Sequence, residues 1–343
     1  MPKRPTLTDI AARAGVGVAT VDRVLNGRAA VREETGRRVL EAAEALGYHA
    51  TALFRRRLDA ARPQYRLSFL LQRPEQPFYQ AFSAELAAAC AASPAVRAGP
   101  AVEFLPSQAP ADIVAALRAA AARSQAIAMV AIDHPAVTAA VAELAASGIP
   151  VFALLSDFAP GVRRGYLGLN NRKAGRTAGW LLARSIRGPG KVVIFVGSHR
   201  FHGHEMREIG CRSYLREAAP ELAIADTQAS LEDMSLAREA VLDLLRRHQD
   251  LKGIYIAGGG MEGAIAALRE EAEPGQVAIV CNELTEVSRA ALADNIVSAA
   301  MSTPLAELSR QAVAQMVAAL AQPAEAGPGQ TFLPFDIFVS ENI

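Results

Sequence analysis

The chain has 343 residues, of which 51% are hydrophobic and 21% charged, and its formal net charge is +1. This length accommodates two or three domains with sizeable apolar cores, and the composition is typical of a folded protein rather than a disordered one. No apolar run approaches the ~20 residues that a membrane-spanning helix needs. Residues 1–9 contain no apolar segment of the signal-peptide type, so we expect a cytoplasmic protein.

The charge is unevenly distributed along the chain. Residues 1–66 contain 13 Lys and Arg against 7 Asp and Glu, a net +6, whereas the remainder carries a net −5. A basic N-terminal region on an acidic body indicates that nucleic acid binds at one end. The three cysteines are far apart and have no metal-ligand spacing, which favours small buried hydrophobes in a reducing compartment: Cys90, Cys211 and Cys281.

The pattern of residues 6–47 predicts three short helices. Thr6 is a typical N-cap with Asp9 three residues later, and Gly15 ends the first helix. A second helix is expected at about 18–25 and a third at about 32–46. Two short helices joined by a tight turn are typical of a helix-turn-helix, whose second helix enters the DNA major groove. A plain three-helix bundle without a DNA role fits the same pattern.

The basic segment 51–62 is compatible with a helix, ends at Pro63 and is interpreted as a linker. Beyond it, short apolar runs alternate with alanine-rich helices, which predicts parallel sheets covered on both faces. The runs are 66–71, 101–105, 126–132, 150–155, 191–196, 253–257, 277–281 and 296–301, with a final strand at 332–339. We therefore expect two doubly wound α/β subdomains with a ligand cleft between them, beyond the carboxyl ends of the strands.

The run TLTDIAARAGVGVATVDRVLNG, followed by VREETGRRVLEAAEALGY, closely resembles the DNA-binding head of the lac repressor (LacI/GalR) family. The resemblance is strong over about residues 5–60. It continues more weakly through the remainder, which is similar to the family's periplasmic-binding-protein-like (type I) core. It implies a helix-turn-helix domain at 1–49, a hinge at 50–63 and an effector-binding domain at 64–343. The first subdomain would comprise about 64–167 and 298–328, and the second about 168–297 and 329–343.

The resemblance also assigns DNA contacts. Val18, Ala19 and Arg23 match positions that face base edges, and Arg23 is the one suited to bidentate contact with guanine. Asp22 departs from the usual Ser, and we interpret it as pairing locally. The remaining expected contacts are Thr6 at the interface, phosphate-positioning Thr8, Thr20 and Asn26, and the hinge residues Arg55, Arg56, Arg57 and Leu58.

The hinge itself departs from the family pattern. The usual proline after Tyr48 is absent, and the expected minor-groove wedge is shifted to Leu58. The three arginines before it would contact phosphates or a narrow minor groove. A solvated basic linker is the alternative interpretation of this segment.

A ligand pocket follows from the same resemblance. Arg207 matches a ligand-binding arginine, whose planar fork suits paired hydroxyls, although a surface salt bridge is the alternative. Phe78 or Tyr79 would stack on the apolar face of a sugar. The remaining candidates are Gln76, Asp133, Asp157, Asn282 and Ser302, each of which could instead be an ordinary strand-end turn residue.

Two further motifs admit competing interpretations. The glycines of 258–263, with Glu283 twenty residues later, formally match a dinucleotide-binding fingerprint. We prefer a loop that lets a ligand approach the backbone closely, and we expect no cofactor. His199, His202 and His204 could suggest a metal, but they fit a polar cleft loop better, and we expect no metal site.

These patterns together predict a transcriptional regulator, most simply a homodimeric repressor of a near-palindromic operator. Its effector would be a sugar, polyol or sugar derivative. No G-x-S-x-G, Walker or H-E-x-x-H motif appears, so we expect no enzyme. The alternatives are a transported-sugar binding protein and an NAD(P)-dependent enzyme.

Overall fold

The computed structural model describes residues 5–26, 33–48, 64–96, 101–322 and 329–343. The chain divides into two compact units, Met1–Gln64 and Tyr65–Ile343, which are called the head and the body below. The expected hinge segment 50–63 lies outside the described residues.

The head contains helices α1 (Leu7–Ala14), α2 (Val18–Asn26) and α3 (Glu33–Ala45). A capping box starts α1, since the Thr6 amide donates to Asp9 Oδ2 at 2.8 Å and the Thr6 hydroxyl accepts from the Asp9 amide. Gly15, with φ of 65°, ends α1 in the left-handed region. The helices enclose a small apolar core formed by Ile10, Val21, Leu25, Val39 and Ala43. The predicted head helices are therefore confirmed.

The first lobe of the body is a six-stranded parallel sheet covered by helices. Its strands are β1 (Leu67–Leu71), β2 (Ala101–Phe104), β3 (Ala126–Met129), β4 (Val151–Leu154), β5 (Gly165–Leu169) and β11 (Gly329–Leu333), in the order β11-β5-β4-β3-β1-β2. Its helices are α4 (Pro77–Ala92), α5 (Pro110–Ala121), α6 (Pro135–Ala146) and α12 (Leu305–Ala321). The central strands are buried along their whole length because helices cover both faces, which explains their unbroken apolar runs.

The second lobe repeats this architecture. Its strands are β6 (Gly190–Val196), β7 (Leu222–Ala229), β8 (Leu251–Ile256), β9 (Ala278–Asn282), β10 (Ala299–Ser302) and β12 (Asp336–Phe338), in the order β12-β10-β9-β8-β6-β7. Its helices are α7 (Asn171–Ser185), α8 (His202–Ala218), α9 (Met234–Arg247), α10 (Met261–Glu271) and α11 (Glu286–Ala293), with a 3₁₀ turn at Ser340–Asn342. The predicted pair of doubly wound subdomains is confirmed.

The single final strand predicted at 332–339 is wrong. Pro334, which has no N–H to donate, separates β11 from β12; β11 is parallel to β5 in the first sheet, and β12 is antiparallel to β10 in the second. The chain therefore returns to the first lobe after β10 and leaves it again after β11. The expected subdomain segments 298–328 and 329–343 are corrected accordingly, since 299–302 belongs to the second lobe and 329–333 to the first.

Two strands were absent from the predicted set. β5 contains Gly165 and Gly168, and β7 lies at a sheet edge with mostly half-buried or exposed residues. Neither forms the continuous apolar run that revealed the central strands. The three cysteines are free and buried, as expected.

Candidate ligand cavity and nucleic-acid face

A cavity of about 710 Å³, including its open mouth, lies between the two lobes of the body. The first lobe contributes Gln76, Phe78, Tyr79, Val130, Leu155 and Ser156. The second lobe contributes Asn171, Phe201, Gly203, His204, Arg207, Glu232, Gly258, Gly259, Met261, Glu262, Asn282, Glu283 and Thr285. A concave site with a mixed apolar and polar wall is typical of small-molecule binding.

Arg207 is held rigidly at the centre of this wall. It projects from α8, is 6% exposed, and its Nε donates to Asn171 Oδ1 at 2.8 Å. Its Nη1 donates to the Ala257 carbonyl at 2.9 Å, and its Nη2 lies 3.6 Å from Glu283 Oε1. These contacts fix the orientation of the guanidinium fork before any ligand arrives.

Glu283 follows β9 and is itself tightly held. The Thr303 amide donates to Glu283 Oε2 at 2.5 Å, and the Thr303 hydroxyl donates to Oε1 at 2.8 Å. Burial raises the pKa of Glu283, while the neighbouring Arg207 charge and the Thr303 hydrogen bonds lower it. Beside it, Asn282 accepts from the Tyr255 hydroxyl at 2.8 Å, so its amide is oriented by the protein.

A second polar pair, His204 and Glu232, lies deep in the cavity wall. The Ser198 amide donates to His204 Nδ1 at 3.3 Å, which leaves the proton of a neutral imidazole on Nε2, 3.8 Å from Glu232 Oε1. Burial, together with the Arg207 charge, lowers the pKa of His204 to about 3. Burial also raises the pKa of Glu232. The imidazole is therefore neutral around pH 7.

Hydrogen bonds connect the lobes around the cavity. Gln76 Nε2 donates to the Glu232 carbonyl at 3.3 Å, and Arg73 Nη2 donates to the Leu231 carbonyl at 3.0 Å. The Gly203 amide donates to Ser156 Oγ at 3.0 Å, and the amide of Asp133 donates to the Arg200 carbonyl at 3.1 Å. We call these four contacts the cross-lobe bonds. They hold the two walls together around the space that a ligand would occupy.

The cavity brings together five of the eight predicted ligand residues: Gln76, Phe78, Tyr79, Arg207 and Asn282. Its lining does not include Asp133, Asp157 or Ser302. Asp157 forms an ion pair with the buried Arg163 and accepts from Gln330 at 3.0 Å. Asp133 Oδ1 accepts from the Ala159 amide at 3.1 Å, and Ser302 pairs with Asp336 where β10 meets β12. Structural roles at strand ends therefore account for the Asp133 and Asp157 side chains, and Ser302 belongs to the β10–β12 pairing.

The lining also includes residues that sequence reasoning did not assign to the ligand. Ser156, Asn171, Phe201 and Glu232 carried no recognised signal, whereas His204 and Glu283 had been noticed only as parts of other motifs. The histidines of that motif diverge: His199 contacts Glu208 at 2.9 Å, and only His204 reaches the cavity.

The glycine motif is explained by packing around the cavity. A Cβ on Gly258 would lie 2.7 Å from the His204 ring, and one on Gly259 would lie 3.0 Å from the Glu232 side chain. Gly263 packs against the backbone of Met234, where a Cβ would overlap the carbonyl oxygen. Close contacts with protein atoms thus account for these glycines without a nucleotide.

In the head, several of the residues expected to contact DNA are exposed to solvent. Thr8, Val18, Ala19 and Arg23 are exposed, Thr20 is half-buried, and Asn26 is the last residue of α2. Thr6 uses its hydroxyl in the capping box, where it donates to Asp9 Oδ2 at 2.7 Å. Arg38 Nη2 donates to the Ala14 carbonyl at 2.6 Å, which fixes the turn before α2. Arg55, Arg56, Arg57 and Leu58 lie outside the described residues.

Comparison with known families accounts for both units. The model described as periplasmic binding protein domain matches residues 67–324, and the chain therefore belongs to that family. The model described as bacterial regulatory proteins, lacI family, matches residues 6–51, so the head is a lacI-type helix-turn-helix. Both matches confirm the resemblance seen in the sequence.

Among curated proteins, the head is 54% identical over 56 residues to an uncharacterized HTH-type transcriptional regulator in the aml 5′ region of Streptomyces limosus. This match covers 16% of each chain, so the chain aligns with only a small part of that relative's length.

Solved structures resemble the body. A solute binding protein of an ABC transporter from Burkholderia graminis, in complex with D-arabinose, is 22% identical with a TM-score of 0.73. One from Agrobacterium vitis with bound D-fucose is 19% identical with a TM-score of 0.74. Each alignment covers 81% of this chain and 96% of the other, and establishes a shared fold. Within the described residues, no helix has the length and apolar character required to cross a membrane.

Proposed function

We propose that this protein is a DNA-binding transcriptional regulator, acting as a repressor, whose affinity for its operator is controlled by a small sugar-like ligand in the inter-lobe cavity. The observation that carries this proposal is the presence, in one chain, of a lacI-type head and a two-lobed body with a polar cavity. The exposed face of α2 offers Arg23 to base edges, and the aromatic rings of Phe78 and Phe201 offer surfaces for a sugar ring.

Control by the ligand requires two states of the body. A ligand that contacts both lobes binds the closed arrangement better than an open one, and only this difference in affinity can shift DNA binding. The cross-lobe bonds near Gln76 and Ser156 are the contacts that such a transition would break. The response of the head decides whether closure of the body strengthens or weakens binding to operator DNA. Measuring operator affinity with and without sugar distinguishes the two.

We propose that two copies act together. One helix-turn-helix reads a short half-site, and a two-fold dimer presents two such helices to half-sites about one helical turn apart. The operator is then near-palindromic, and the protein acts in the cytoplasm, where the chromosome lies. Binding of DNA and ligand needs no catalytic step, and we assign none to the cavity.

Selection of DNA by the full-length protein from a random library, at one fixed salt concentration, tests this function. We expect a near-palindromic sequence whose affinity changes when sugars are added, with D-arabinose and D-fucose among the first to try. Fixed salt is essential because phosphate contacts make all affinities depend on salt. Binding of sugars without any preferred DNA sequence would contradict the proposal and favour a sugar-binding protein instead.

A further inference from the structure

The described cavity wall contains more acidic than basic side chains. Glu232, Glu262 and Glu283 line it, and Arg207 is the one arginine or lysine among its lining residues. His204 adds no compensating positive charge, because burial keeps it neutral. When its carboxyl groups are ionised, the cavity therefore carries net negative charge.

Arg207, the one arginine or lysine in the described cavity lining, already forms an ion pair with Glu283. Arg207 Nη2 lies 3.6 Å from Glu283 Oε1, and both side chains are about nine-tenths buried, with exposures of 8% and 11%. Glu283 is further satisfied by two hydrogen bonds from Thr303. This pair is thus formed without a ligand: Arg207 makes its ion pair with Glu283 and acts on Glu232 only from a longer distance.

Glu232 has no ion-pair partner of this kind among the described residues, although the charges of Arg73 and Arg207 and the Gly259 amide lower its pKa against the larger effect of burial. Its side chain is 4% exposed, and its Oε2 accepts no hydrogen bond from the described part of the chain. Arg73, whose charge is also felt at this carboxyl, lies outside the cavity lining, with its Nη1 3.6 Å from Glu75 and its Nη2 on the Leu231 carbonyl. A buried carboxylate oxygen without a hydrogen-bond donor is costly, so a ligand donor at Oε2 would be favourable.

Two features of the surrounding backbone make room for the Glu232 side chain: neighbouring glycines and an unusual turn. Gly258 and Gly259 lie against the His204 and Glu232 side chains, and a Cβ on Gly259 would lie 3.0 Å from Glu232. Leu231 and Glu232 both adopt positive φ, of 51° and 61°, a backbone conformation rare for such residues. The turn thus places a charged side chain in the cavity wall although its backbone adopts this rare conformation.

We propose that the effector is an amino sugar, whose protonated amine pairs with the Glu232 carboxylate while its ring packs against Phe78 and Phe201. This inference rests on the proposed function, because it takes the cavity to be the effector site. An ammonium group both donates hydrogen bonds to Oε2 and compensates the buried charge, whereas a neutral hydroxyl supplies only the hydrogen bond. A sugar acid or sugar phosphate would add a second negative charge beside Glu232 and is excluded.

Calorimetry on the full-length protein with two matched series of probes tests this assignment. The series are D-glucosamine, D-glucose and D-glucuronate, and D-galactosamine, D-galactose and D-galacturonate. In at least one series we expect the amino sugar to bind at least tenfold more tightly than the parent sugar and the acid not to bind. Glu232→Gln should remove the preference for the amine, because the amide keeps the shape of the side chain without its charge.

Glu205→Gln is the matched control, since Glu205 lies on α8 outside the cavity lining and its side chain is half exposed. This variant should retain the full amine preference. Equal or tighter binding of the parent sugar, binding of the acid, or failure of both amino sugars to bind would overturn the assignment. If neutral sugars bind and alter operator affinity, the proposed regulatory function stands while this inference fails. The selectivity of the unmodified protein decides the matter even if Glu232→Gln does not fold.

Discussion

Gln76 Nε2 donates a hydrogen bond to the backbone carbonyl of Glu232, 3.3 Å away on the opposite lobe. The neighbouring Leu231 carbonyl accepts from Arg73 at 3.0 Å. The turn that places the Glu232 carboxyl in the cavity is thus also the turn that the first lobe holds through its carbonyl groups. A ligand that stabilises this turn therefore stabilises the closed arrangement of the lobes.

Arg73→Ala removes one of these contacts without altering the cavity lining. We expect ligand affinity to fall about fivefold, because a hydrogen bond of this kind contributes about 1 kcal/mol to the closed state. Titration calorimetry with an uncharged sugar that the intact protein binds measures the change, because the charge of Arg73 also acts on Glu232 and would alter the binding of a cation. Arg118→Ala is the control: Arg118 pairs with Glu143 on the surface of the same lobe, and its loss should leave affinity unchanged. Equal affinities in both variants would show that the Arg73 contact does not contribute to closure.

Most of the fold could be predicted from the sequence, whereas only part of the cavity could. The head helices and the central strands could be predicted because capping residues and continuous apolar runs are local signals. Arg207 could be assigned through the family resemblance. By contrast, β7 is an edge strand with exposed positions, so it lacks that signal, and the Pro334 break assigns adjacent strands to different sheets.

The place of Glu232 in the cavity wall could not be predicted either, because it too depends on contacts that are distant in the sequence. Its importance depends on contacts with His204 and Gly259, which are 28 and 27 residues away in the sequence and meet it only when β6, β7 and β8 align. A lone glutamate after an unrecognised edge strand resembles a solvated loop residue. Asp157 shows the converse case: a carboxylate after a strand could be a ligand contact or a strand-end structural residue, and here it pairs with the buried Arg163.

Glu232→Gln should stabilise the unliganded protein at neutral pH. Because burial raises the folded-state pKa of Glu232, folding becomes less favourable as pH rises through that pKa and the buried carboxyl must ionise. Replacing the carboxylate with a neutral amide should raise the free energy of unfolding by about 1–3 kcal/mol at pH 7.5, with a smaller gain near pH 4. Urea denaturation at the two pH values measures it. A gain independent of pH would exclude ionisation as the cause, and Glu205→Gln should show no comparable gain.

The contribution of His204 to stability should depend on pH in the opposite direction. Its pKa is lowered from 6.5 to about 3, so the unfolded chain binds a proton that the folded chain does not. Stability contributed by the neutral imidazole is therefore present above pH 6.5 and is lost as pH falls, by up to about 1.4 kcal/mol per pH unit. His204→Gln, which cannot be protonated, should flatten the stability profile between pH 6.5 and 5. Parallel profiles for the two proteins would refute the buried neutral histidine.

Gly175→Ala tests how the packing of α7 against α8 positions Arg207. An alanine in a helix normally adds about 1 kcal/mol of helix stability relative to glycine. Here a Cβ would overlap the carbonyl oxygen of Arg207, so α8 must move and the guanidinium with it. We expect a net loss of about 1–3 kcal/mol in unfolding free energy and weaker ligand binding. Gly329→Ala is the control, since its Cβ would meet no atom within 4 Å.

Arg23→Ala separates base reading from phosphate contact in the head. Arg23 is exposed in the last turn of α2, and among the expected base-facing residues it alone has a polar side chain, beside Val18 and Ala19. A bidentate contact with guanine contributes about 1–3 kcal/mol of discrimination. We therefore expect the variant to lose roughly 5- to 150-fold in affinity for the selected operator, but far less for random DNA at the same salt. Equal losses on both DNAs would assign Arg23 to the phosphate backbone instead.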